Sequence, residues 1–318
     1  MLRITDWQSI DDTAAVQEFV AGLWPAVDHP GGKGWDWAIR QLPSEAVIAR
    51  RDHAVAGWAG VTDGHLTIQA PRDEPAARAL LDWAVEHSTG HDLDIAILDG
   101  DTALNPLLDE AGFAPPGDER LSGMFHPASS QQSALPPGYL IRPVRPGEES
   151  ERIEVHRRAW KPIDLPWPGD DATLVDPDAE SSFRAEHFDR LNRTMLYSTA
   201  RDLVVEAPDG SLAACCTMWW HPALRTSQIE PLGVVSEHRR KGLATAMCRH
   251  VETATAALGG TEVFIDTWHL DDYPAPAATY LRAGYQRRDR GVIRRRSAST
   301  ERAGRPPHLL DPADTWPR

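Results

Sequence analysis

The sequence predicts an α/β fold, with α+β mixed sheets, laid out as two tandem domains of one plan. Three observations carry this. At 318 residues the chain exceeds the size at which a single hydrophobic core keeps growing. Residues 128–138 are rich in Pro, Ser, Gln and Gly without apolar periodicity, which marks a linker. On either side of it, strand and helix patterns follow in the same order. The expected division is a first domain over 1–127, the linker 128–138, a second domain over 139–296 and an irregular tail over 297–318.

In the second half, Tyr139 to Val144 reads as a strand, followed by a helix over Glu148 to Trp160 opened by the turn Arg145-Pro146-Gly147. After a long acidic segment comes a helix around Ser181 to Leu191. Leu203 to Glu206 and Leu212 to Trp220 are rich in β-formers, and Pro208-Asp209-Gly210 between them is a hairpin turn. A strand over Thr226 to Val234 runs up to a Gly-containing loop. From Gly242 onward Leu243, Met247, Val251, Ala254 and Leu258 keep to one helical face until Gly259-Gly260 stops the helix. Glu262 to Thr267 reads as a buried strand, Ala275 to Ala283 as a short helix, and Gln286 to Arg296 as closing strands.

The first half repeats the order. Leu2 to Thr5 is strand-like, and Val16, Phe19, Val20 and Leu23 have amphipathic helical spacing. Ala46 to Ala49, Ala54 to Val61 and Leu66 to Gln69 read as strands joined by tight turns. A helix over Glu74 to His87, a strand over Leu93 to Leu98, a short helix over Ala103 to Ala111 and a strand near Leu121 to Phe125 complete it. The end of the short helix recurs, as Glu110-Ala111-Gly112-Phe113 and Arg282-Ala283-Gly284-Tyr285.

Composition narrows the function. Hydrophobic content of 41% with 25% charged residues is that of a folded globular protein. The opening MLRITDWQSIDD lacks a basic start followed by an apolar run, and no stretch has the length to cross a bilayer, so a cytoplasmic protein without membrane contact is expected. A formal net charge of -14 argues against a nucleic-acid partner, which needs clustered Lys and Arg, and suits a cationic one. Solubility alone also explains an acidic surface. Cys215, Cys216 and Cys248 have neither disulfide nor zinc spacing, and neighbouring Cys215 and Cys216 point to opposite faces of a strand as core residues. His221, His238 and His269 are isolated, so no metal is expected.

The segment that carries chemistry is Glu230-Pro-Leu-Gly-Val-Val-Ser-Glu-His-Arg-Arg-Lys-Gly-Leu-Ala-Thr245, a strand leading through a basic loop into a helix. A helix start offers unpaired backbone N–H groups and a partial positive charge, together an anion site. Gly242 lets the backbone approach the anion, small Ala244 keeps the first turn open, and Arg239, Arg240 and Lys241 add positive charge. A basic helix cap is the alternative. Arg239-x-x-Gly242-x-Ala244 resembles the Arg/Gln-x-x-Gly-x-Gly/Ala pattern of the GNAT N-acetyltransferase superfamily. A second landmark, Ala275-Pro-Ala-Ala-Thr-Tyr-Leu-Arg-Ala-Gly-Tyr285, resembles the family's short helix with a tyrosine, here Tyr280, four residues before a glycine.

The resemblance implies tandem GNAT-type acyltransferase domains of mycothiol-synthase-like architecture and acetyl-CoA as co-substrate. Leu232, Gly233 and Val234 would hold the pantetheine arm through their backbone, and Arg239, Arg240, Lys241, Gly242, Leu243, Ala244 and Thr245 the pyrophosphate. Glu230, on a strand where several family members carry a Glu, would be the general base; Tyr280 would protonate the departing thiolate. Backbone hydrogen bonding is the plainer reading of Glu230, and packing on the sheet that of Tyr280. Tyr273 replaces the family's frequent Asn at the start of the short helix. The first half carries Ala70-Pro-Arg-Asp-Glu-Pro75 in place of the phosphate loop and Leu108 in place of the tyrosine, so it is expected to keep the fold without the site.

The expected reaction is direct transfer in a ternary complex onto a primary amine of a small, cationic molecule. The acidic run Asp164, Asp170, Asp171, Asp176, Asp178 and Glu180, with Asp170 and Asp171 as substrate contacts, suggests the cation; a solvated acidic loop is the alternative. Two further readings stay open. One is acetylation of a cysteinyl pseudodisaccharide, as in mycothiol synthases; the other is a non-catalytic acetyl-CoA-binding sensor.

Overall fold

The elements follow from turn chemistry and apolar period. In the computed structural model, which describes residues 1–39, 46–62, 64–88, 92–118, 120–131, 134–161, 181–267 and 274–297, the chain runs β1 (Leu2–Asp6), α1 (Ile10–Ala21), α2 (Pro30–Ile39), β2 (Ala46–Arg51), β3 (Ala54–Thr62), β4 (His65–Gln69), α3 (Glu74–His87), β5 (Leu93–Leu98), α4 (Leu104–Glu110) and β6 (Arg120–Pro127). It continues with β7 (Leu140–Pro143), α5 (Glu149–Ala159), α6 (Ala185–Leu191), β8 (Asp202–Glu206), β9 (Leu212–His221), β10 (Thr226–Val234), α7 (Leu243–Ala257), β11 (Glu262–Thr267), α8 (Pro274–Arg282) and β12 (Gln286–Arg296). Helices alternate with mixed-sheet strands, as the sequence predicts. Among the described residues no helix is long and apolar enough to cross a membrane.

The chain forms two units, described in turn. Unit 1 comprises the described residues of Met1–Lys33, Arg40–Ser122 and Asp289–His308. Its strands run β1-β2-β3-β4-β5-β12, parallel between β4 and β5 and otherwise antiparallel. Leu66, Ile68, Leu80, Leu81, Ile95 and Leu104 are buried between this sheet and α3 and α4, each such side chain contributing about 1.5–3 kcal/mol on leaving water. Helix α1 starts at a capping box, Ser9 accepting the Asp12 N–H and Asp12 accepting that of Ser9.

Unit 2 comprises Gly34–Ile39 and the described residues of Gly123–Arg288, with strand order β6-β11-β10-β9-β8-β7. Alternation along β9 sends Cys215 into the core under α5, with Val155 and Ala159, and Cys216 into the core under α7, with Met247 and Val251. Both thiols are buried and free, as is Cys248.

Two features differ from the sequence expectation. Residues 286–296 form one strand, not several, and it pairs with β5 from Gly291↔Leu98 to Arg296↔Leu93. Most of β12 therefore belongs to unit 1, and most of β6 to unit 2. A strand's pattern reveals its period but not its partner; here buried Arg294 fixes the choice, donating to the carbonyls of Asn105, Phe113 and Ala114 and to Asp109. The second feature is α2, whose sequence PGGKGWDWAI has three glycines and poor helix propensity. Pro30 suits the first helical position, and Trp35, Ala38 and Ile39 are buried with Phe183, Phe188, Leu191 and Trp219 of unit 2. Packing overrides propensity there.

Candidate active site

The site is built where β10 departs from regularity. Its antiparallel register with β9 runs from Thr226↔His221 to Ile229↔Met218, shifts, and resumes at Leu232↔Cys216 through Val234↔Ala214. Glu230 and Pro231, joined by a cis peptide, together stand opposite Thr217 alone, one residue more than regular pairing. Because of this bulge, Ile229 and Leu232 both reach the α7 side of the sheet although three residues apart. The parallel register with β11 runs only from Thr226↔Glu262 to Gln228↔Phe264 among the described residues. Beyond Gln228 the two strands diverge while β9 stays attached, so that among the described residues no strand pairs with the other edge of residues 229–234. Glu230 is half-buried, and its carbonyl accepts the Trp219 indole N–H at 2.6 Å.

After β10 comes a single 3-10 turn, Ser236–His238, and then a loop with left-handed backbone at Arg240 (φ 63°) and Gly242 (φ 81°). An arginine in this conformation costs about 1 kcal/mol. Alternation of handedness turns neighbouring backbone N–H groups to one side. Gly242 is the N-cap of α7 and supplies no side-chain cap, and the space where its Cβ would stand is open to at least 4 Å. The first amides of Leu243, Ala244 and Thr245 thus begin a 15-residue helix without a side-chain cap, where the partial positive charge of the N-terminus is concentrated. Leu243 is buried and anchors the turn, while Arg240 and Lys241 are exposed beside it. Lys241 Nζ donates to the Tyr139 hydroxyl at 3.2 Å, which also lies 3.0 Å from His238 Nδ1.

The Arg239 side chain takes another course. Its Nε donates to the Val234 carbonyl at 3.1 Å, and its Nη2 to the carbonyls of Ala159 and Lys161 at 3.0 and 2.9 Å. Those two carbonyls sit at the C-terminal end of α5. The same end lies on Gly233, where an added Cβ would overlap the Trp160 ring and stand 2.8 Å from Ala159 Cβ. Trp160 in turn stacks on His156, centroids 4.0 Å apart.

Under α5 is a buried polar cluster that the sequence did not announce. Arg152 Nε donates to both Asp202 oxygens at 2.9 and 3.1 Å, Thr217 Oγ1 to Asp202 at 3.0 Å, and the Tyr197 hydroxyl to Asp202 at 2.9 Å. Burial opposes charge on Arg152, but the Asp202 carboxylate outweighs it and the guanidinium pKa rises. Burial, then the Arg152 charge, hold His156 well below the ordinary histidine value, so it is neutral. Burial pushes the Cys215 thiol up to about 11, which makes it a poor nucleophile.

On the opposite face, Tyr280 of α8 is 7% exposed and packs in the core that holds Leu243, Met247 and Ala283. Its ring centroid is 6.2 Å from that of Tyr285. The same core thus contains both Tyr280 and the first residue of α7. Glu252, also on α7, is fully buried against Arg249 (2.7 Å) and His126 (3.4 Å); burial raises its pKa.

Unit 1 has the corresponding strand divergence with different contents. Its parallel β4–β5 register covers His65↔Asp94 and Leu66↔Ile95. At the strand ends, Gln69 Nε2 donates to Asp28 at 2.8 Å, and a Cβ on Gly100 would meet the Ala26 carbonyl at 2.5 Å. The Arg290 guanidinium donates to the Val27 carbonyl. Residues 26–28, between α1 and α2, therefore bridge the ends of β4 and β5, with Val27 fully buried. Lys33 pairs with Asp28 at 3.3 Å and stands 4.6 Å over the Trp58 ring. Burial would raise the Asp28 pKa, but Lys33 and Arg290 hold it down. Asp101 accepts the amides of Ala70 and Leu104 at 3.4 and 3.2 Å.

The structure therefore brings Glu230, Leu232, Gly233 and Val234 onto one strand end, followed directly by the Arg240 to Thr245 turn, and packs Tyr280 in the core under that turn. Asp170, Asp171 and the rest of the acidic run, with His269 and Tyr273, lie outside the described residues. Sequence reading missed Trp160, Trp219 and the Arg152–Asp202 pair. Gly233 inside an apolar strand was the available signal, since such a glycine marks a close approach.

Residues 171–285 match the acetyltransferase (GNAT) family. No curated protein sequence matches the chain. Among solved structures, a GCN5-related N-acetyltransferase from Sphaerobacter thermophilus has a TM-score of 0.54 at 19% identity, covering 93% of this chain and 96% of its own. A tandem GNAT protein from the clavulanic acid biosynthesis pathway has a TM-score of 0.53 at 15% identity, covering 95% and 100%. A GNAT-family acetyltransferase from Colwellia psychrerythraea has 0.53 at 10%, covering 93% and 99%. These likenesses establish the fold along nearly the whole chain, and the family match falls on the open strand end and helix start just described. Residues 171–285 thus match the acetyltransferase (GNAT) family model, in a chain whose fold is shared with a tandem GNAT protein.

Proposed function

We propose that this protein is an acetyl-CoA-dependent N-acetyltransferase whose working site lies in unit 2 alone. The observation that carries the proposal is the divergence of β10 from β11 immediately ahead of an uncapped α7 start. The pantetheine arm would lie along the open edge of Leu232, Gly233 and Val234, and the pyrophosphate on the amides of Gly242 to Thr245 with Arg240 and Lys241 beside it. In unit 1 the corresponding place is filled by residues 26–28, and the amide of Ala70 is already held by Asp101.

Within the site, the half-buried Glu230 would take a proton from the incoming ammonium, directly or through water. The amine then attacks the thioester carbonyl, which backbone amides of β10 polarise. Tyr280 would give its hydroxyl proton to the departing sulfur and regain one, directly or through water, from the attacking nitrogen, which sheds its second proton as the amide forms; one proton is released through Glu230 and no covalent enzyme intermediate is needed. The buried thiols of Cys215, Cys216 and Cys248 lie in the cores on either face of the sheet, which supports direct transfer over a cysteine relay.

A small cationic primary amine is the acceptor class we favour, on the acidic composition of the chain and of residues 164–180. The test is thiol release from acetyl-CoA with a panel of polyamines, amino sugars and neutral or acidic amines, at low and high salt. Turnover confined to cations, with capture weakening as salt rises, supports the reading; preference for a neutral or anionic amine rejects it. Tight acetyl-CoA binding with no turnover on any amine would instead favour a sensor.

A further inference from the structure

We propose that Arg239, the first residue of the pyrophosphate motif, is a positioning residue that clamps the end of α5 onto the end of β10 and is not itself a phosphate ligand. This rests on the acetyltransferase reading of the same site. Among the described residues its guanidinium donates to the carbonyls of Val234 at the end of β10 and of Ala159 and Lys161 at the end of α5, all within 3.1 Å. The last carbonyls of a helix lack partners of their own and carry partial negative charge, so a cation donating to them satisfies both needs. A guanidinium forked between a strand and a helix end is already committed away from the α7 start.

What the clamp holds is the contact that shapes the thioester strand. Ala159 and Trp160, within the clamped turn at the end of α5, lie against Gly233 so closely that a methyl group there would overlap the indole. Arg158 and Glu237 add an exposed ion pair at 3.1 Å across the same junction, which contributes little by itself. If α5 moved away from β10, Gly233 would lose its cover, and the edge of the strand that faces the thioester would lose its fixed position.

Two variants separate the roles. Arg239→Lys keeps the charge and loses the planar fork; Arg239→Gln loses the charge and keeps part of the donor set. Thermal melting first confirms that both are folded. Calorimetry with CoA, amide hydrogen exchange of Trp160 and Lys161, and turnover per bound CoA are then compared with wild type.

The clamp predicts that CoA affinity stays within about threefold in both variants, because no charge-assisted contact is removed from the ligand. It also predicts that exchange at Trp160 and Lys161 quickens, and that turnover falls about tenfold in Arg239→Lys, the scale of a lost charged hydrogen bond. CoA affinity that collapses in Arg239→Gln but survives in Arg239→Lys would make Arg239 a phosphate ligand, and unchanged exchange at the α5 end would also overturn the clamp. Should wild type turn over no amine, the acetyltransferase reading fails while exchange and CoA binding still decide the clamp.

Discussion

The indole of Trp160 occupies the space that a side chain on Gly233 would need. Gly233→Ala should therefore push the end of α5 off the strand and destabilise unit 2 by about 1–3 kcal/mol, the usual cost of overpacking. Denaturant unfolding measures it. Combining Gly233→Ala with Trp160→Ala should recover part of the loss, a coupling expected only of residues in contact; simple additivity would mean that the two do not meet.

One acetyl-CoA site per chain is expected by calorimetry, because the strand ends in unit 1 are bridged by residues 26–28. Gly242→Glu should abolish it. The substitution places a side chain at φ 81°, a strained position for any residue but glycine, and sets a carboxylate at the anion site. A second site that survives Gly242→Glu would assign cofactor binding to unit 1 as well.

Glu230→Gln should lower turnover about a hundredfold with little change in CoA affinity, as for loss of a general base. Tyr280→Phe should lower turnover while conserving the core packing of the ring. The proton roles fail together if both variants turn over like wild type.

Acid should destabilise unit 2 in a way traceable to His156. Its folded pKa lies well below the ordinary 6.5, so between those two values the unfolded chain binds more protons than the native one. Stability is complete above about pH 6.5 and falls as pH drops toward the folded value, by about 1.4 kcal/mol per pH unit for one proton. His156→Phe keeps an aromatic ring against Trp160 and removes the titration. Chemical unfolding from pH 7.5 to 5 should show a shallower acid loss in the variant; equal slopes would mean that His156 is protonated in the native state.

Much of unit 2 can be read from the sequence because each element there is announced locally. Pro208-Asp209-Gly210 gives the hairpin, the spacing from Leu243 to Leu258 gives α7, and Thr226 to Val234 is β10 to the residue. What escaped depends on contacts far apart in sequence. Helix α2 exists because Trp35 and Ile39 find Phe183 and Trp219, and nothing in PGGKGWDWAI encodes that meeting. The Arg152–Asp202 pair joins residues 50 positions apart. Arg239 illustrates a subtler limit: its motif marks where the turn is but not which way the guanidinium points.

The origin of β12 bears on how this chain is made. Unit 1 draws its sixth strand from residues 289–296, so during synthesis β5 stays an unpaired edge until every element from β6 to α8 has left the ribosome. Unpaired edges invite pairing with other chains. Unit 1 is thus the first to begin and the last to be completed, and a genetic cut in the 128–138 linker would yield a fragment lacking a strand of its own sheet instead of a free-standing domain.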